Sequence, residues 1–154
     1  VFIYLYKAIL LSINTHLKEE MVKWHQKNHQ ERKQKSQTNL FHEITKEAVA
    51  EATPYRAEWE GDTQFDFYYG LASLEVGGSN ANEAVFALER AAATASNGVL
   101  RERARLELAR AYFVTNNLTA AENLFNVVLD NNPPANVRQN IEAFLQLIET
   151  RRNS

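Results

Sequence analysis

Cysteine is absent from the 154 residues, which excludes disulfides, a thiol nucleophile and a thiolate metal site. Its absence does not fix a compartment, because cytosolic and periplasmic proteins alike can lack it. Proline occurs three times and glycine five times, and no stretch alternates apolar and polar residues as a half-buried strand would. An all-α fold is what these absences leave. No glycine-rich phosphate loop is present, since Gly77-Gly78 reads as a helix stop. Serines have no activating histidine beside them. Asp62 and Asp66 fall at a helix start, where the helix dipole accounts for them. An enzyme is therefore not expected, and neither a cofactor nor a metal is called for.

The chain is 45% apolar and 23% charged, the balance of a globular domain rather than a disordered tail. Its net charge of −2 hides an asymmetry. Residues 1–39 hold seven Lys/Arg against three Glu, or +4, so the remainder carries −6. That split suggests a basic arm at 1–39, including a linker, followed by a helical domain at 40–154.

Val1 to Ile13 is strongly apolar but broken by Lys7, and it is shorter than the roughly 20 residues a membrane span needs. No basic leader precedes it, and the first residue is Val rather than Met. Two readings stand side by side: a damaged or mis-called leader, or an amphipathic helix that packs on something. Leu17 to Lys35 is polar and basic, with Glu19 and Glu20 placed ahead of Lys23 and Lys27 at helical spacing. His25 and His29 could face one metal from a helix, but without a supporting acid they read as a surface pair. The run Arg32-Lys33-Gln34-Lys35 sits in no recognised nucleic-acid module, so nucleic acid is not an expected partner. Together with the apolar start it would suit weak contact with a membrane surface. Ser36 to Asn39 reads as the linker.

Beyond it the apolar periodicity predicts a helix over Leu40–Ala52, stopped by Pro54, then a connection carrying Trp59. Asp62 or Thr63 should cap a helix running to about Val76. A second follows Ser79-Asn80-Ala81 and closes around Asn97-Gly98. Two more turn at Asn116-Asn117, and a last helix follows Pro134 with Val137, Ile141, Phe144, Leu145 and Ile148 in one stripe.

The stretch Arg103 to Pro133 is the most informative. Small residues Ala109 and Ala121 sit where two helices cross closely, Leu108, Tyr112 and Phe125 surround the crossing, and Pro133 ends the unit. In these positions it resembles a tetratricopeptide (TPR) repeat over nearly its whole length. An earlier, weaker copy puts Tyr69-Gly70, Ala84 and Leu88 in the same roles. It departs at Ser73, where an aromatic is usual, and lacks the closing proline. Gly70 and Ala109 lie 39 residues apart, against about 34 in the family. The resemblance implies a right-handed α-solenoid of about two helix pairs, capped at both ends, and the N-terminal helical arm read above from its own residues stands before it.

A narrower resemblance covers Gly61 to Arg152, through FDFYYGLASLEVG, EAVFALERA, RLELARAYF, NVVLDNNPPANV and a final TRR. It is similar to the TPR domain that precedes the outer-membrane β-barrel of surface lipoprotein assembly modifiers. That resemblance implies a bacterial, periplasmic module engaging a client or partner protein, with a cytoplasmic location as the alternative.

In TPR units the first helix of each pair lines a concave groove. Counting from the signature positions, the partner-binding residues would be Gln64, Phe67, Leu71 and Leu74, then Arg103, Leu106, Arg110, Phe113 and Asn117. Among the crowded aromatics Phe65, Phe67, Tyr68 and Tyr69, Phe67 is the one expected to be accessible. Arg103 and Arg110, two turns apart, could hold a carboxylate or backbone carbonyls. The plainer reading pairs them with Glu102 and Glu107 as solvated surface. The favoured function is a non-catalytic protein- or peptide-binding adaptor. The alternatives are a self-associating structural domain and a membrane-surface domain anchored through residues 1–35.

Overall fold

The computed structural model describes residues 37–154. The apolar start, the His25–His29 pair and the basic run all lie outside the described residues. Within them the chain is helical throughout, without a strand. Helix α1 spans Gln37–Ala52, followed by a 3-10 turn at Thr53–Tyr55 and the single-turn α2, Arg56–Trp59. Then come α3 (Thr63–Val76), α4 (Asn80–Thr94), α5 (Gly98–Val114), α6 (Leu118–Asp130) and α7 (Ala135–Arg152). The expected all-α solenoid architecture is what the described residues have.

The boundaries follow from local chemistry. The Asp62 carboxylate accepts the Phe65 N–H at 2.9 Å and so caps α3. Gly77 and Gly78 then leave the helix at φ 72° and 55°, a conformation that only glycine adopts cheaply. Asn97 was expected to close α4. It instead begins α5, its side chain accepting the Leu100 N–H at 2.7 Å. The α5–α6 turn is a Schellman motif: Asn116 sits at φ 63°, with Asn117 N–H on Tyr112 O and Asn116 N–H on Phe113 O. Asn132, at φ 53°, plays the same role before Pro133-Pro134.

Two readings of the N-terminal side change. Gln37 to Asn39, taken as linker, are helical. Thr38 and Asn39 each cost a helix only a few tenths of a kcal/mol, too little to end one anchored downstream by buried Thr45, Ala48 and Val49. The connection after Pro54 is also not irregular, since it winds into the 3-10 turn and α2.

Packing runs from neighbour to neighbour. α3 lies chiefly on α4, α4 on α5 and α5 on α6, with α1 covering α3 and α7 covering α6. The core is accordingly three linked clusters. The first joins α1 to α3 through Val49, Ala52, Phe65 and Tyr69. The second joins α3, α4 and α5 through Phe67, Leu88, Ala104 and Leu108. The third joins α5, α6 and α7 through Ala109, Phe125, Ile141 and Ile148. Each pair buries its apolar face only because the next one covers it.

The crossing positions behave as their size demands. Ala84, Ala109 and Ala121 are fully buried. At Gly70 an added Cβ would lie 2.7 Å from Leu88 Cγ, so α3 approaches α4 closer than an alanine allows. Ion pairs Arg56–Glu83 (2.6 Å) and Arg90–Glu60 (3.0 Å) hold the α2 connection against α4. Tyr112 Oη donates to Glu89 Oε1 at 2.5 Å, tying α5 to α4.

Candidate partner-binding site

The residues expected to bind lie on α3 and α5, with Asn117 in the turn that follows α5. Of the α3 set, Gln64 is exposed, Leu71 is half-buried, and Phe67 and Leu74 are buried. Phe67 thus corrects the expectation that it is accessible: only 1% of it meets solvent. Its ring fills the space where α3 and α5 meet, packs edge-on against Tyr68, and is roofed by the Arg103 guanidinium 5.4 Å from its centroid.

On α5, Arg103 is exposed, Leu106 and Arg110 are half-buried, Phe113 is buried, and Asn117 is exposed in the following turn. Phe113 is sealed by α7: Phe144 meets it edge-on at 5.3 Å and Arg151 stacks over it at 4.2 Å. Arg151 also donates to Phe113 O at 3.3 Å.

The two arginines part company. Arg110 pairs with Glu107 at 2.6 Å, as the plainer reading had it. Burial pushes the Glu107 carboxyl above its ordinary value, opposed by Arg110 and Arg103 and assisted by Glu75 from α3. Glu102, the other suggested partner, is taken elsewhere: its Oε1 accepts from Arg105 at 2.8 Å and from Asn131 at 3.1 Å. Among the described residues Arg103 has no carboxylate at ion-pair distance. Its charge rests on an aromatic face.

A cavity of about 430 Å³ opens where α5 begins, α6 ends and α7 begins. Val99, Leu106, Val128, Pro133, Pro134 and Val137 give it apolar walls, with Gly98 at the edge and Glu102, Arg103, Asn131 and Asn132 as its polar members. Of the residues read from the sequence, it gathers Arg103 and Leu106. Gln64, Phe67, Leu71, Leu74, Arg110, Phe113 and Asn117 lie outside its lining. The residues missed come from the turn that the closing proline creates, from Val128 and Val137 on the helices either side of it, and from the start of α5, where the apolar Val99 is 76% exposed. That exposure is a signal no periodicity argument uses.

The remaining chemistry is structural. Asp66 is fully buried and accepts from Gly61 N–H at 3.0 Å and Arg90 Nε at 3.2 Å. Burial raises its carboxyl above the usual range while Arg90 pulls it back. Tyr112 is pushed up to about 12 by burial and by the Glu89 carboxylate. Among the described residues no three His, Cys, Asp or Glu side chains gather as metal ligands, and no helix is long and apolar enough to cross a membrane.

Residues 76–143 match the family model of the tetratricopeptide repeat. The match runs from the last residue of α3 into α7, so it takes in α4, α5 and α6, and it supports a TPR domain there. No curated protein and no solved structure matches the chain significantly.

Proposed function

We propose that this chain is a non-catalytic adaptor that captures a partner protein on the inner face of its helical stack. Tetratricopeptide repeats generally mediate protein–protein interaction. The observation that carries the reading is the apolar cavity between α5 and α7, which the exposed Arg103 adjoins. A concave apolar site with a few placed polar groups is the usual form of a binding site. Arg103 at the cavity, and two turns on the part-exposed Arg110 beyond its Glu107 pair, would supply donors to orient a peptide.

The test is a selection of binders from a displayed peptide library on the full chain, followed by Arg103→Gln with Arg110→Gln. Affinity should fall about tenfold, or 1.4 kcal/mol, with helicity unchanged by circular dichroism. Unchanged affinity would overturn the assignment of the two arginines.

The resemblance of Gly61–Arg152 to the domain of lipoprotein assembly modifiers supports a finer reading. In it the adaptor works in the periplasm, within an outer-membrane export or assembly system. Fractionation of the native host, with the protein recovered from periplasm or outer membrane, would support it; recovery from cytosol would not.

A second reading, self-association, is favoured by Phe86, Val114 and Leu147, each more than half exposed. Light scattering separates the two, since an adaptor stays monomeric on dilution series where an assembly piece does not.

A further inference from the structure

Among the described residues three features remain unused by the packing: the exposed aromatics Tyr55 and Phe86 near α2 and α4, the buried Ser73 hydroxyl, and the cavity between α5 and α7. The cavity carries the argument furthest, because its walls and its free charge together specify an occupant. We propose that it seats an aliphatic side chain from an acidic stretch of a partner protein, with a neighbouring carboxylate of that stretch against Arg103. This deepens the adaptor reading and rests on it.

The apolar part follows from the walls. Val99, Leu106, Pro133 and Val137 offer no hydrogen bond through their side chains, so an occupant gains by burying hydrocarbon there. The volume of about 430 Å³ is within the range of ligand-holding sites, roughly 300–1,000 Å³.

The acidic part follows from which charges are already engaged. Glu102 is held by Arg105 and Asn131, and its second oxygen is shielded from solvent. Arg138 donates to the neutral Asn132 at 3.3 Å and lies outside the lining. Arg103 remains, exposed and without an ion-pair partner among the described residues. The backbone adds to it. Both α5 and α7 begin at the cavity, neither has an acidic residue in its first turn, and Pro134 gives α7 no side-chain cap. The positive ends of two dipoles thus reinforce Arg103. The local sign opposes the −6 carried by residues 40–154. It also disfavours the chain's own arm at 1–39, whose +4 would meet a like charge.

The experiment uses the full chain and three fluorescein-labelled peptides with Ser-Gly flanks, whose centres are Glu-Leu-Glu, Lys-Leu-Lys and Glu-Ala-Glu. Anisotropy gives the affinity and amide NMR gives the place. Glu-Leu-Glu should bind about tenfold tighter than either control, with shifts centred on Val99, Arg103, Leu106 and Val137. Arg103→Glu should turn the preference toward Lys-Leu-Lys. Val99→Glu, at a surface position that leaves folding intact, should weaken Glu-Leu-Glu about tenfold with an unchanged circular dichroism spectrum.

Equal or tighter binding of Lys-Leu-Lys overturns the proposal, as does the absence of saturable binding. Shifts centred on Gln64, Leu71 and Arg110 overturn it too, while leaving the adaptor reading in place. A display selection that returns no binder at all instead removes the adaptor reading. If the chain dimerises and Val99→Glu abolishes the dimer, the occupant is a second copy and the proposal fails.

Discussion

The two helix pairs, α3–α4 and α5–α6, solve one packing problem with different residues. At the crossing the second pair uses Ala109 against Ala121, with Phe125 filling the far side, all three fully buried. The first uses Gly70 against Ala87 and Leu88, and its helices come so close that a Cβ on Gly70 would lie 2.7 Å from Leu88 Cγ. Where the second pair has Tyr112 reaching out to Glu89, the first has Ser73, buried, its hydroxyl without a hydrogen-bond partner among the described residues. The lesson is that a degenerate copy is not a looser copy. With smaller side chains available, the first pair closes its backbone distance, and steric tolerance at its crossing shrinks accordingly.

Substitutions at the crossing should break this comparison with the largest effect. Ala121→Trp in the second pair should cost about 3 kcal/mol or more by overpacking, or prevent folding. Gly70→Ala should cost about 1–2 kcal/mol despite the roughly 1 kcal/mol that alanine gains in helix propensity. Chemical denaturation reads both. If Gly70→Ala is stabilising, the first pair is not the tighter one.

The Ser73 and Tyr112 positions should give a smaller, opposite-signed pair. Ser73→Ala removes an unpaired buried hydroxyl and should stabilise by about 1 kcal/mol. Tyr112→Phe removes a partnered one and should destabilise by a similar amount. Because burial and Glu89 hold Tyr112 at about 12, its contribution is complete below the unfolded value of about 10 and is lost as pH rises through 12. Tyr112→Phe should therefore flatten the alkaline limb of the stability curve. Denaturant midpoints measured between pH 8 and 11 would show it, and a parallel profile would discount the clasp.

The smallest effect concerns the two raised carboxyls, Asp66 in the first pair and Glu107 in the second. Each retains its proton in the folded chain at a pH where the unfolded chain has released it. Their contribution is present below the unfolded values, about 3.9 and 4.3, and declines as pH rises through the folded ones. Glu107→Gln should have a small effect on stability, and should flatten its decline as pH rises above the ordinary glutamate value. A loss of several kcal/mol with an unchanged slope would mean that the Arg110 pairing outweighs burial.

Helix ends were the most legible feature, because each rests on one or two residues in sequence. Asp62, Gly77 and Asn116 needed no tertiary information to be placed. The crossing was legible for the same reason: size alone marks Gly70, Ala109 and Ala121. Phe67 was misjudged because helical register says which way a ring points, not that a long side chain from the next pair, Arg103, will lie across it. The cavity was half-legible. Arg103 and Leu106 share a helix with the repeat signature, whereas Val99, Asn131 and Val137 become neighbours only once α6 has turned α7 back alongside α5. Asn97 fits either end of a helix by type, and only the Leu100 N–H decided which.

The hold of Arg151 on the far end of α5 has a mechanical consequence. α5 and α7 run parallel, the cavity lies between their first turns, and Arg151 grips the ring and the carbonyl of Phe113 near their last. α7 is therefore anchored along its length: Ile141 and Ile148 are buried, Phe144 stacks on Phe125 and meets Phe113 edge-on, and Arg151 closes the far end. A guest at Val137 would meet a wall already held in place, so that little of its binding energy goes into ordering the site.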